Sequence, residues 1–201
     1  MGPLGIIGWI PLEAHQDFFK KEPSMQISGK KVIVMVDQLY QELEVWYPLY
    51  RLREAGAEAI LVGAQAGTTY NSKIGYPAVS EKAAADVSMK DYDGLVIPGG
   101  YAPDHMRRHK SMIQLAIDAM QMNKVVASIC HGPWVLCSAP GALRGRKVTS
   151  FFAIKDDLTN AGAEWVDAEV VRDRNLVTSR KPDDLPAFMR TTIECLAATS
   201  R

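Results

Sequence analysis

A cysteine and a histidine stand side by side at Cys130 and His131, between the apolar run Val125, Val126, Ala127, Ile129 and the pair Gly132-Pro133. The run reads as a short buried strand, β-branched and almost free of charge. Trp134, Val135 and Leu136 then begin a helical segment, with Gly132 and Pro133 in its first turn, where proline is tolerated. Cys130 therefore falls on a sharp strand–turn–helix corner, the geometry of a nucleophile elbow. A helix N-terminus favours the thiolate, which is the form that attacks. That placement predicts a Cys130 pKa well below the value of a free thiol. Backbone N–H groups around Gly100 and His131 can receive a developing oxyanion.

Other chemistry-bearing residues are weaker candidates. His105 and His109 have the spacing of two metal ligands on one helix face, with Asp104 beside them. The HExxH pattern is missing and Arg107 and Arg108 make the patch cationic, so no metal site is expected. Cys137 and Cys195 lie on apolar helix faces and read as packing residues. Trp46, Tyr47 and Trp134 read as core or interface.

The elements that must position these groups alternate along the chain. Lys30 to Gln38 is a basic start followed by an apolar run, read as a central strand, and Glu42 and Glu44 follow it. Val45, Leu49 and Leu52 share one helical stripe, which Gly56 can terminate. Further strands are expected at Glu58 to Gln65 and at Asp91 to Gly100, the latter ending in a Pro-Gly-Gly turn. Met112, Leu115, Ala116 and Met120 mark an amphipathic helix. Shorter strands follow, with a hairpin-like turn at Asp173 and Asn175. A closing helix is expected to be capped by Asp183 or Asp184. Strands alternating with helices predict an α/β three-layer sandwich, a mainly parallel central sheet covered on both faces. In such sheets ligands collect at the strands' carboxyl ends, near the switch point.

The bulk composition narrows the partners. With 201 residues the chain is long enough for one well-buried domain, taken as 30–201, preceded by an N-terminal extension, 1–29. The 23 basic and 23 acidic residues cancel, leaving no electrostatic footprint for nucleic acid or an anionic membrane. Three cysteines in no disulfide-framework or zinc-like spacing fit a reducing, cytoplasmic compartment. The start of the chain lacks a basic n-region and a cleavage site, so a secretory signal is not expected. Its Ile6, Ile7, Trp9, Phe18 and Phe19 are expected to dock on a neighbouring subunit or on the domain's own back.

The strings "YDGLVIPGGYAPD", "ASICHGPWVL", "LRGRKVTS", "IKDDLTNAGAEWVDAEVV" and "LVTSRKPDDLPAFMR" together resemble the ThiJ/PfpI family, from about Lys31 to Leu196. Within it the chain is most similar to PfpI-type intracellular cysteine proteases, of the flavodoxin-like, class I glutamine-amidotransferase-like fold. The resemblance implies Cys130 as nucleophile and His131 as the adjacent base. It implies Glu44, in "ELEVWYP", as the buried acid beside the thiol, and the N–H groups of Gly100 and His131 as the oxyanion hole. In PfpI-type oligomers a carboxylate of a neighbouring subunit, in a "RAPE" stretch, orients the histidine. The corresponding stretch is "YAPD", so Asp104, one methylene shorter, takes that place. Phe151 stands where relatives often have tyrosine. A homodimer or hexamer is implied.

The activity implied first is hydrolysis of peptide or amide bonds through the thiolate. A glyoxalase or deglycase acting on methylglyoxal or glycated amines uses the same thiolate, and neither reaction requires a metal or cofactor. A non-catalytic oxidative-stress sensor or chaperone is the third reading.

Overall fold

The structure is a computed structural model that describes residues 26–199; the extension expected at 1–29 falls outside the described residues except for 26–29. Ile27 is fully buried in the core and its N–H donates to the Ala55 carbonyl, so packing begins just ahead of residue 30.

In chain order the elements are β1 (Lys31–Met35), α1 (Glu42–Glu54), β2 (Glu58–Gly63), β3 (Thr69–Asn71), β4 (Pro77–Val79), β5 (Lys82–Ala83) and β6 (Gly94–Ile97). They continue with α2 (Ala102–Met106), α3 (Lys110–Gln121), β7 (Val125–Ile129), α4 (Trp134–Cys137), β8 (Lys147–Val148) and α5 (Lys155–Asn160). The chain closes with β9 (Glu164–Trp165), β10 (Val170–Asp173), β11 (Leu176–Ser179) and α6 (Leu185–Ala197). Seven strands form one sheet in the order β10-β11-β7-β6-β1-β2-β5, parallel except for the β10–β11 hairpin at one edge.

The sheet is laid out from its middle. From β1 the chain moves outward to β2, then returns to place β6 on β1's other side and continues to β7. Right-handed crossovers in opposite directions put their helices on opposite faces. Accordingly α1 packs with α6 on one side, and α3 packs with α4 on the other. Burial on both faces explains why β6 and β7 are solvent-free at every residue. The mainly parallel three-layer α/β sandwich expected from the alternation is the observed fold.

Several local expectations changed. Gly56 follows α1 with φ +95°, where a side chain would be strained, so it ends the helix as expected. Asp184 occupies the N-cap position of α6, but its carboxylate accepts from Arg180 and caps nothing. The segment after Cys130 yields only the four residues of α4, because Pro140 and Gly141 follow within a turn of its end. The β3–β4 hairpin, a separate two-stranded sheet, has no counterpart in the sequence reading.

Candidate active site

The switch point lies between β1 and β6, and the carboxyl ends of β1, β6 and β7 converge there. Cys130 follows β7 directly, with φ +60°. This left-handed conformation costs a non-glycine residue about 1–2 kcal/mol and persists where surrounding structure enforces it. The enforcement is visible. The Cys130 N–H donates to the Ser179 carbonyl at the end of β11 (3.1 Å), and its carbonyl accepts from the Phe151 N–H (3.0 Å). Gly132 closes the turn by donating to Ile129, and a Cβ there would lie 2.6 Å from Ser128 Oγ and closer still to the Ile97 carbonyl.

Glu44 reaches the same point from the first turn of α1 and is fully buried. Gln41 caps that helix by accepting from the Glu44 N–H at 3.0 Å, which fixes the turn carrying the carboxylate. Pro48 lies one turn further along and cannot donate to the Glu44 carbonyl. Oε2 accepts the Gly99 N–H at 2.7 Å. Oε1 has no hydrogen bond of normal geometry among the described residues, and the carboxyl interacts with the Cys130 thiol from the cleft side. Gly99 is indispensable in this packing: a Cβ there would lie 2.7 Å from both Cys130 Cβ and Glu44 Oε2.

The electrostatics correct one expectation. Burial raises Glu44 to about 7 against the relief given by the Gly99 N–H. Burial, and then the charge of Glu44, push the Cys130 thiol up to about 12, against the N–H groups of Gly100 and His131. The low thiol pKa expected from the elbow alone therefore fails while Glu44 is ionised. A four-residue helix has little dipole to offset burial. The two groups titrate as a pair. Protonation of Glu44 removes the repulsion and turns its carboxyl into a donor toward sulfur, which favours the thiolate against the burial that remains.

His131 Nδ1 lies 3.3 Å from Cys130 Sγ. Burial and the Lys73 charge lower its pKa, so the imidazole is neutral near pH 7. Its ring stacks on Phe151, with centroids 4.9 Å apart and planes at 27°, and tilts toward Trp134. The structure thus brings together Cys130, His131, Glu44 and the Gly100 N–H. It does not bring Asp104 to them within one chain: Asp104 lies in α2, half-exposed, paired with Arg108. His109 Nε2 faces the buried Asp37 at 3.7 Å. Cys195 is buried against the Arg174 carbonyl, and Cys137 is half-buried against that of Pro133.

The cleft over the thiol has a volume of about 330 Å³. Besides the residues already named it is lined by Gln41, Lys73, Tyr101, Lys181 and Pro182. Sequence reasoning missed these five, because they belong to turns that close on the cleft only in three dimensions. No helix among the described residues is long and apolar enough to cross a membrane.

Known proteins resemble this chain over most of its length. A deglycase of Pyrococcus horikoshii is 44% identical over 83% of this chain and 99% of its own length. Protein/nucleic acid deglycase 2 of Escherichia coli is 41% identical over 85% of this chain and 99% of its own. A crystal structure from Anabaena variabilis, containing DJ-1/ThiJ/PfpI-like and ferritin-like domains, superposes with a TM-score of 0.81 at 37% identity. That match covers 83% of this chain and 48% of the two-domain protein. The model of the DJ-1/PfpI family matches residues 30–195, and with the sheet order, the elbow and these relatives in agreement, the chain belongs to the DJ-1/PfpI family.

Proposed function

We propose that this protein is a cysteine-dependent deglycase, an enzyme that removes small dicarbonyl adducts from amines or thiols. The observation that carries the reading is the Cys130 thiol at the base of a small cleft, facing an acid that titrates near neutrality and two backbone N–H groups. Its named relatives support a deglycase over the amide hydrolysis placed first by the sequence. With a methylglyoxal adduct of an amine, the Cys130 thiolate forms a C–S bond at the carbinol carbon as the C–N bond breaks, and the amine leaves with a proton. A proton then moves from that carbon to the neighbouring one, so the first is oxidised to a thioester as the adjacent carbonyl is reduced to an alcohol. Water cleaves the thioester, releasing lactate and the thiol. Glu44 and His131 are the groups that hold and return the protons. The N–H groups of Gly100 and His131 stabilise the oxygen anion when water adds to the thioester.

The second reading, amide hydrolysis, keeps the support of the 3.3 Å approach between Nδ1 and Sγ, which suits a thiol–imidazole dyad. In either reaction Asp104 of a neighbouring copy orients His131, in a homo-oligomer, and the protein works in the cytoplasm. Purified protein should release lactate and free amine from methylglyoxal-treated N-acetyllysine, and Cys130→Ala should abolish the release. Cys130-dependent cleavage of a fluorogenic peptide with no lactate formed would replace the first reading by the second.

A further inference from the structure

The walls of the cleft carry charge of one sign. Lys73 sits at the tip of the β3–β4 hairpin, and that tip is tied to the cleft floor. The Lys73 N–H donates to the Tyr40 carbonyl at 3.0 Å, and the next N–H, of Ile74, donates to Glu42 Oε1 at 3.0 Å. Among the described residues the Lys73 ammonium has no carboxylate within ion-pair distance. Its charge reaches both Glu44 and His131. From the opposite side the turn after β11 contributes Lys181, which pairs with the exposed Asp183 at 3.0 Å and is partly neutralised. Among the described residues the only carboxylate lining the cleft is Glu44, which is buried at its base. Phe151, Tyr101 and Pro182 supply apolar wall between the two lysines.

We infer that Lys73, assisted by Lys181, selects substrates bearing a carboxylate within a few bonds of the reacting carbon, and disfavours neutral and cationic ones. This rests on the reading of Cys130 as the nucleophile and deepens it by naming the substrate class. A pocket with one sign of charge and low-dielectric walls raises the local concentration of the opposite charge. The preferred adducts are those on carboxylate-bearing thiols or amines, and adducts flanked by arginine or lysine are poor substrates.

Two reagents of the same size test this without any turnover. Iodoacetate is anionic and iodoacetamide neutral, and both alkylate the same Cys130 thiolate, so the ratio of their rates is independent of that thiol's titration. Cys130→Ala supplies the background from Cys137 and Cys195. Lys73→Gln should lower the iodoacetate-to-iodoacetamide ratio about 3- to 10-fold at low salt. The difference should shrink below about twofold in 0.5 M salt. Lys181→Gln should lower the ratio less. A ratio unmoved by Lys73→Gln overturns the proposal. In a second arm, methylglyoxal adducts of N-acetylcysteine and of its amide are compared, and kcat/KM should favour the carboxylate in the native protein but not in Lys73→Gln. If neither adduct turns over while the alkylation ratio falls as expected, the deglycase reading fails and the carboxylate selectivity stands.

Discussion

Cys130 and Cys195 lie in two regions equally hidden from solvent, at 8% and 2% exposure, and burial pushes both thiols up. Around Cys195 the neighbours are residues of α6, the Arg174 carbonyl and the Arg172 side chain, whose charge favours the anion but does not offset burial. Around Cys130 the backbone is bent into a positive φ, and two N–H groups and a carboxyl that titrates near neutrality face the sulfur. Burial therefore does not distinguish a reactive thiol from a packing one. The distinction lies in the bent elbow, the acid partner and the cleft that Cys130 lines and Cys195 does not.

The strongest attempt to break the contrast is to remove each sulfur in turn. Cys130→Ala should lower deglycation by more than about 10³-fold, the scale on which enzymes lose activity without their nucleophile. Its stability should stay within about 1 kcal/mol. Cys195→Ala should do the reverse, leaving the rate within about twofold and costing about 1 kcal/mol from lost packing. Urea unfolding and steady-state kinetics on both variants are sufficient. Equal rate losses would mean that the two regions are not chemically different.

The elbow backbone comes next. Gly132→Ala pushes a Cβ into Ile97 and Ser128 and should cost about 3 kcal/mol, with loss of alkylation at Cys130. Gly141→Ala is the control: its φ of +76° is strained for alanine but its surroundings are open, so about 1 kcal/mol is expected and no change at Cys130. If Gly132→Ala costs no more than Gly141→Ala, the elbow yields to the added Cβ and crowding there does not set the effect.

Glu44 ties the contrast to pH. Its folded pKa, about 7, lies above the unfolded value of 4.5, so the folded state holds this proton more tightly. The stabilisation is complete below pH 4.5 and is lost as the pH rises through 7. Its full size is about 3 kcal/mol. Glu44→Gln cannot titrate, so its stability relative to the native protein should improve between pH 5 and pH 8, by an amount up to that size. The same variant should move the pH dependence of Cys130 alkylation and leave that of Cys137 alone. Parallel stability curves for the two proteins would remove Glu44 from the thiol's titration.

Much of this was legible in the sequence because it depends on local pattern. The apolar runs of β1, β6 and β7, the Pro-Gly-Gly turn and the Cys-His-Gly-Pro corner each declare themselves within ten residues, and together they fix the parallel sheet and the place of the thiol. The thiol's titration was not legible, because it depends on how deeply Glu44 is buried beside it, a property of how α1 meets the turn after β6. The end of α4 was left open by the sequence, since apolar residues continue past Cys137, while Pro140 and Gly141 stop the helix. The cleft's lysines were invisible for a third reason. Lys73 and Lys181 are 108 positions apart, on turns whose polar composition looks the same wherever they fold.

The smallest expected effect concerns Asp104 of α2. Asp104 pairs with Arg108, just past the end of that helix, an exposed pair worth only a few tenths of a kcal/mol. If a neighbouring copy's Asp104 orients His131, the carboxylate acts on the tautomer and direction of the imidazole, whereas Glu44 acts on the thiol. Asp104→Ala should then lower kcat about 5- to 10-fold, near 1 kcal/mol, with the pH dependence of Cys130 alkylation unchanged. Asp104→Glu should keep or raise the rate, because the longer side chain matches that of PfpI-type relatives. Arg108→Ala separates the two roles of the aspartate, since it breaks the pair and leaves the carboxylate free to reach across. A normal rate in Arg108→Ala with a reduced rate in Asp104→Ala supports the reach between subunits. Equal reductions in both, or a monomer by light scattering with full activity, would confine Asp104 to the surface of its own helix.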